Sequence, residues 1–160
     1  MKHTDMNPDH PGIYLPPPFI YLIVFVVGWI LQKWVPLHPG ILRSFPIAGL
    51  GVILMIMAIG LISQALKIFH ASGNTVITTR AASSLQTDGI YSKTRNPMYL
   101  GMIFIYISFS LFIGYWWHLI LLPLLIILLQ NLVIRKEENY LSHRFGMEYI
   151  EYQEKVGRWF

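Results

Sequence analysis

Arg95, Asn96 and Pro97 stand at one end of a stretch without charge, and Glu137 and Glu138 stand just past the other end. An arginine fork beside a helix start offers donors to an anion such as a carboxylate. A glutamate at the far end can accept from a cation or a hydroxyl. Asn96 is a favoured N-cap, and Pro97 suits the first helical position, where a missing N–H costs nothing. Adjacent residues on a helix do not point the same way, so only one of the two glutamates is expected to face a shared site. Plainer roles stay open for each feature: a capped helix with an arginine on lipid headgroups, a solvated charge cluster, and ordinary packing for Tyr99 and Gly101.

The elements that must position these residues are apolar. The chain has 160 residues, 54% hydrophobic and 12% charged, with mean hydropathy +0.50. Soluble domains carry about 25% charged residues, so the deficit points to lipid. Pro11 to Gln32 is free of charge for 22 residues, Ser44 to Leu66 for 23, and Asn96 to Ile134 for 39. A bilayer core takes about 20 helical residues. The first two runs are one span each, and the third is long enough for two, with Gly114 to His118 as the break, since its aromatics suit an interface. The prediction is an all-α integral membrane protein of one domain, 1–160, with four transmembrane helices near 15–34, 45–68, 97–113 and 117–135. The last two form a helical hairpin, which Pro123 can bend. The first span is too long for a signal-peptide core and is expected to be retained.

Ten of the 12 lysines and arginines fall in the N-terminus, in the 69–95 loop with its flank, or in the tail after 134. By the positive-inside rule both termini and that loop are cytoplasmic. The basic balance is thus a topology signal and not a nucleic-acid footprint. Asn74 to Thr79 has strand-forming residues and Asp88-Gly89 is a turn signal, so the loop is read as a short hairpin or an irregular linker. In the tail, Leu141, Phe145, Tyr149, Tyr152 and Val156 make one helical stripe, which Gly146 can divide into two amphipathic helices. These lie on the bilayer, fold back onto the loop or form a solvated tail.

"LQTDGIYSKTRNPMYLG" and, one hairpin later, "EENYLSHRFGMEYIEYQEKVGRW" resemble the isoprenylcysteine carboxyl methyltransferase and phospholipid methyltransferase superfamily, over roughly 74–160. The resemblance implies an integral membrane enzyme that uses S-adenosylmethionine and releases S-adenosylhomocysteine. It implies a cofactor held by Ser83, Ser84, Leu85 and Gln86, by Tyr91, by Arg95, Asn96, Pro97, Met98, Tyr99 and Gly101, and by Glu137 and Glu138. Glu138 matches the second acid of the family's E-E-x-x-L segment. Arg135 is the nearest match to an arginine that handles a substrate carboxylate, so Arg135 and Glu138 are the catalytic candidates. Asn96 stands where many members have histidine, and asparagine cannot take and release a proton. An isoprenylcysteine-like carboxylate is the favoured acceptor, with a phospholipid amine or a thiol as alternatives.

Other classes fit less well. The six histidines lack ligand spacing, so no metal site is expected. A soluble methyltransferase sheet would need βα alternation and a glycine-rich turn. A four-span exporter would carry an ionisable group within a span, where only His118 interrupts the charge-free runs. An accessory membrane protein would leave the conjunction of motifs unexplained.

Overall fold

The computed structural model describes residues 11–13, 15–73 and 84–160, which form helices joined by turns, with no strand among the described residues. The segment read as strand-forming, 74–79, and Ser83 lie outside the described residues.

Helix α1 spans Pro17–Trp34 and α2 spans Phe45–Ala71. Both begin with prolines in the first turn, where no intrahelical N–H is forfeited. Both are long and apolar enough to cross a membrane. Phe19, Leu22, Ile23 and Val26 on α1, and Ile53, Ile56 and Ile59 on α2, are exposed, an outer surface suited to lipid rather than water. Helix α2 runs one turn past the expected boundary at 68, because Lys67 and His70 end the apolar run without ending the helix. Phe69, in that extra turn, stacks its ring on Tyr91 at 5.7 Å, and Ile68 just before it lies against Gly89. Gly89, at φ +59°, opens the 3₁₀ turn Gly89–Ser92.

Helix α3, Pro97–Ile113, stops at Gly114, which adopts φ +71° and returns its N–H to the Ser110 carbonyl. The second arm of the expected hairpin is broken. Helix α4 covers Trp116–Ile120 and α5 covers Leu122–Leu129, with the break where Pro123 lacks the N–H that would reach Leu119. A π-turn, Gln130–Ile134, then leads directly into α6, Arg135–Phe145. Gly146, at φ +56°, separates α6 from α7, Met147–Lys155.

The core lies where α1, α3 and α5 meet, with Tyr21 and Val24 against Ile103, Tyr106, Leu125 and Leu129. His118, in the break between the third and fourth spans, is fully buried. Its Nε2 lies 3.1 Å from the Phe25 carbonyl and its ring 4.2 Å from that of Phe25. Gly28 makes the room, since a Cβ there would sit 2.8 Å from the imidazole. The indole of neighbouring Trp117 donates to the Val35 carbonyl at the end of α1.

Helix α2 packs along α3 through small residues, as in membrane helix pairs. The Ser108 hydroxyl donates to the Gly51 carbonyl at 2.7 Å, and a Cβ on Gly101 would meet Ile62 at 2.6 Å and the Ala58 carbonyl at 3.2 Å. Gly101 therefore sits in a helix contact. Gly101→Val should force α2 from α3 and cost about 1–3 kcal/mol, read as a lowered unfolding temperature in detergent. A variant as stable as the parent would mean that α2 and α3 do not approach this closely.

Candidate functional site

The site forms where the segment before α3, the first turn of α6 and the chain after α7 converge. After α7 the chain turns back tightly enough that a Cβ on Gly157 would overlap the Phe160 carbonyl. This strap lies along the 94–96 segment. The Arg95 N–H donates to the Gly157 carbonyl at 3.1 Å. The Thr94 hydroxyl and the Asn96 side-chain amide both donate to the Arg158 carbonyl, at 3.2 and 3.0 Å. Thr94 and Asn96 are buried. Asn96 thus precedes α3, and its carbonyl accepts the Leu100 N–H, but its side chain makes no capping bond. The expected cap is corrected here. With Pro97 supplying no N–H, the amide is spent across the chain on the strap.

Glu138, 9% exposed, is the centre of charge. Arg158 grips it with two parallel bonds, Nε to Oε1 at 2.9 Å and an Nη to Oε2 at 2.6 Å. Arg95 brings an Nη to 3.2 Å from Oε1, close enough for attraction but not aligned for a hydrogen bond. The bonds to Glu138 hold the Arg158 guanidinium above its usual pKa, against the opposing effect of burial. Two buried donors of Arg95, Nε and that Nη, have no hydrogen-bond acceptor among the described residues. Two guanidiniums against one carboxylate leave an excess positive charge as well.

Glu137 turns elsewhere. Its Oε1 accepts from the Tyr99 hydroxyl at 2.7 Å, and Tyr21 on α1 donates to the Tyr99 carbonyl at 2.9 Å. Loss of water pushes its carboxyl up to about 7, the Tyr99 bond opposing and the charge of Glu138 adding.

The loop leading into the site rests on α7. Leu85 packs on Tyr149, Tyr152 and Val156, and the Tyr152 hydroxyl donates to the Tyr91 carbonyl at 2.6 Å. The Gln86 amide donates to the Ser84 hydroxyl, and Met98 is partly buried in the first turn of α3. The tail therefore folds back onto the loop, one of its three expected placements. Of the sequence candidates, Leu85, Tyr91, Arg95, Asn96, Pro97 and Glu138 meet in this region, Glu137 and Tyr99 pair beside it, and Gly101 faces α2.

Arg135 is not brought in. It is exposed and makes no ion pair with either glutamate among the described residues. Ile134 and Glu138 are buried, whereas Arg135 between them is exposed. The sequence reading missed the role of Arg158. Its only signal was its place after Gly157, past the end of an amphipathic helix.

The residues fit a cofactor with an amino-acid carboxylate. Arg95 has unspent buried donors, and the cluster around Glu138 has charge to receive an anion.

Comparison with known proteins gives a family and two relatives. The family model described as phospholipid methyltransferase matches residues 47–148, more than half the chain. A Saccharomyces cerevisiae protein-S-isoprenylcysteine O-methyltransferase is 32% identical over 105 residues, covering 55% of this chain and 39% of that protein. The chain thus spans about two fifths of the yeast relative. An uncharacterised Haemophilus influenzae protein is 34% identical over 62 residues, 39% of this chain and 98% of that one. No solved structure matches significantly.

The Asn96 geometry gives a test. Asn96→Asp replaces a donor with a carboxylate facing the Arg158 carbonyl, and should cost about 1–3 kcal/mol, read as a lowered melting temperature in detergent. Asn96→His keeps an N–H donor and should lie closer to the parent. Equal stability of parent and aspartate variant would place the strap elsewhere.

Proposed function

Because the chain belongs to the phospholipid methyltransferase family, we propose that it is an S-adenosylmethionine-dependent methyltransferase set in the membrane, acting on a lipophilic or small acceptor. The observation that carries this reading is Arg95, which has two buried donors unspent beside Glu138. Bound there, S-adenosylmethionine supplies an electrophilic methyl group on a sulfonium. Arg95 holds its carboxylate, and Glu138 fixes Arg95 by charge while Arg158 locks the strap over the site. Leu85, Gln86 and Tyr91, on the loop braced by α7, and Met98, at the start of α3, complete the wall. Methyl transfer is an in-line displacement, so holding the two reactants in register is the main task of such residues.

Four spans are proposed: α1, α2, α3 and the broken run α4–α5 with its π-turn. Both termini and the site then face the cytoplasm, and the acceptor arrives from the bilayer. The yeast relative's name speaks for an isoprenylcysteine and the family's description for a phospholipid, both lipophilic. Arg135, exposed at the membrane surface, is left as a headgroup contact.

Two outcomes are expected. Reporters fused after Phe160 and in the 70–95 loop should both read cytoplasmic, and one placed at Gly114 to Trp117 should read the opposite side. Loop and tail on opposite sides would dismantle the site. Calorimetry of the solubilised protein should show S-adenosylhomocysteine binding. Arg95→Lys keeps a cation for Glu138 but loses the fork, so it should weaken that binding by about 1.5–3 kcal/mol with the fold retained. Unchanged affinity would take Arg95 out of the cofactor site.

A further inference from the structure

By the four-span reading, ten of the 12 lysines and arginines share a side with the site, and the other two, Lys33 and Arg43, stand at the opposite end of the helices. Trp34, the last residue of α1, is about 20 Å along the helix from Tyr21, which reaches the site through Tyr99. Contacts between elements build this far end. The Gln32 amide donates to the Leu37 carbonyl at 2.9 Å, and Trp117 ties the Val35 carbonyl to the turn after α3. Leu42, in the 3₁₀ turn Gly40–Arg43, is buried. The stem of Arg43 lies over Gly114, where a Cβ would sit 3.0 Å from its Cγ. Lys33, Trp34, Ile41, Arg43 and Phe45 are nevertheless exposed, Trp34 at 82% and Phe45 at 90%.

Charge and surface together select the partner. From His10 to Thr87 the sequence has no aspartate or glutamate, and every acid of the chain falls on the side of the site by the four-span reading. The two cations therefore need an anion from outside the chain. The exposed apolar surface of the spans reaches the same end at Ile30 on α1 and Leu50 on α2. A water-borne acidic partner would leave the rings of Trp34 and Phe45 unserved, whereas a lipid offers a phosphate to the cations and acyl chain to the rings. We propose that this end binds the headgroup of an anionic phospholipid in the leaflet away from the site, with Lys33 and Arg43 on its phosphate and Trp34, Ile41 and Phe45 on its acyl region. A zwitterionic lipid offers the same acyl surface, but its own ammonium offsets the phosphate. Since Arg43 lies over Gly114, a lipid held there fastens the α1–α2 loop to the turn after α3 and sets the spans at one depth. The proposal rests on the four-span arrangement and not on the chemistry of the site.

The chain has no cysteine, so Ile41→Cys gives the full-length protein one thiol within the patch. A bimane attached there is followed in phosphatidylcholine vesicles as nitroxide-labelled phosphatidylglycerol, or phosphatidylcholine with the same acyl label, is added. Quenching should favour phosphatidylglycerol by about 5-fold or more, and raised salt should shrink the preference. In the same background, Lys33→Gln with Arg43→Gln should abolish the preference. Lys33→Arg with Arg43→Lys should keep it, which separates loss of charge from loss of fold. Equal quenching by both lipids, or a preference that survives in the glutamine pair, overturns the proposal. Quenching by neither lipid overturns it too, and would put water or another protein at this end. An impermeant thiol reagent should reach unlabelled Ile41→Cys from the side opposite a reporter after Phe160. Reaction from the reporter's side overturns the span arrangement, and with it the leaflet assigned here.

Discussion

A carboxylate taken from water must be neutralised where it sits, and Glu138 is neutralised by residues far from it in sequence. Each ion costs several kcal/mol to desolvate, so a buried pair is weak evidence for net stability, but losing one partner costs about 3–5 kcal/mol. That asymmetry makes the cluster a constraint on conformation. Arg95 comes from the segment before α3 and Arg158 from the strap after α7, and neither segment has helical hydrogen bonds of its own to hold it. Their guanidiniums must nonetheless reach one carboxylate on α6. The hydrogen bonds from 94–96 to the carbonyls of 157 and 158, one from backbone and two from side chains, satisfy polar groups that this meeting buries.

The apolar part of the molecule serves the same end by two routes. Gly51, Ala58 and Gly101 let α2 lie close along α3. The length of α2 then carries Ile68 and Phe69 beyond the helix bundle, to the 3₁₀ turn that holds Tyr91. Tyr91 receives Phe69 on its ring and Tyr152 on its carbonyl, so helix and tail both brace one residue of the loop. The second route runs through α1, where Tyr21 sets the backbone of Tyr99 and Tyr99 sets Glu137.

Much of the helical framework was legible because charge is so costly in an apolar setting. The charge-free runs mark α1, α2 and α3, Pro123 marks the break between α4 and α5, and Gly146 marks the break between α6 and α7. The boundary of α2 was missed because Lys67 and His70 ended the apolar pattern where the helix continues into a polar setting. The burial of His118 was not legible because its pocket depends on Gly28 in another helix, which no local pattern encodes. The site was legible as two motifs and illegible as a cluster. Arg95 and the acidic pair could be named from type and spacing, but Arg158 acts through a turn of chain, and the donor that Asn96 offers goes to a carbonyl 62 residues away.

The π-turn sets which acid faces which partner. Relative to an α-helix, a π-turn accommodates one additional residue, and each residue turns the helix by about 100°. Residues 130–134 lie immediately before α6, so their phase is passed to Glu137 and Glu138. In an uninterrupted α-helix continuing from α5, the inward face would fall about one position away, and the arginines would no longer meet Glu138 as they do. The apolar side constrains the same phase, because Val133 and Ile134 are fully buried within the turn. Such turns are uncommon and often stand at functional sites. Here the turn allows one helix to keep Leu125 and Leu129 in the core while giving two adjacent carboxylates different surroundings, one clamped by guanidiniums and one held by a tyrosine.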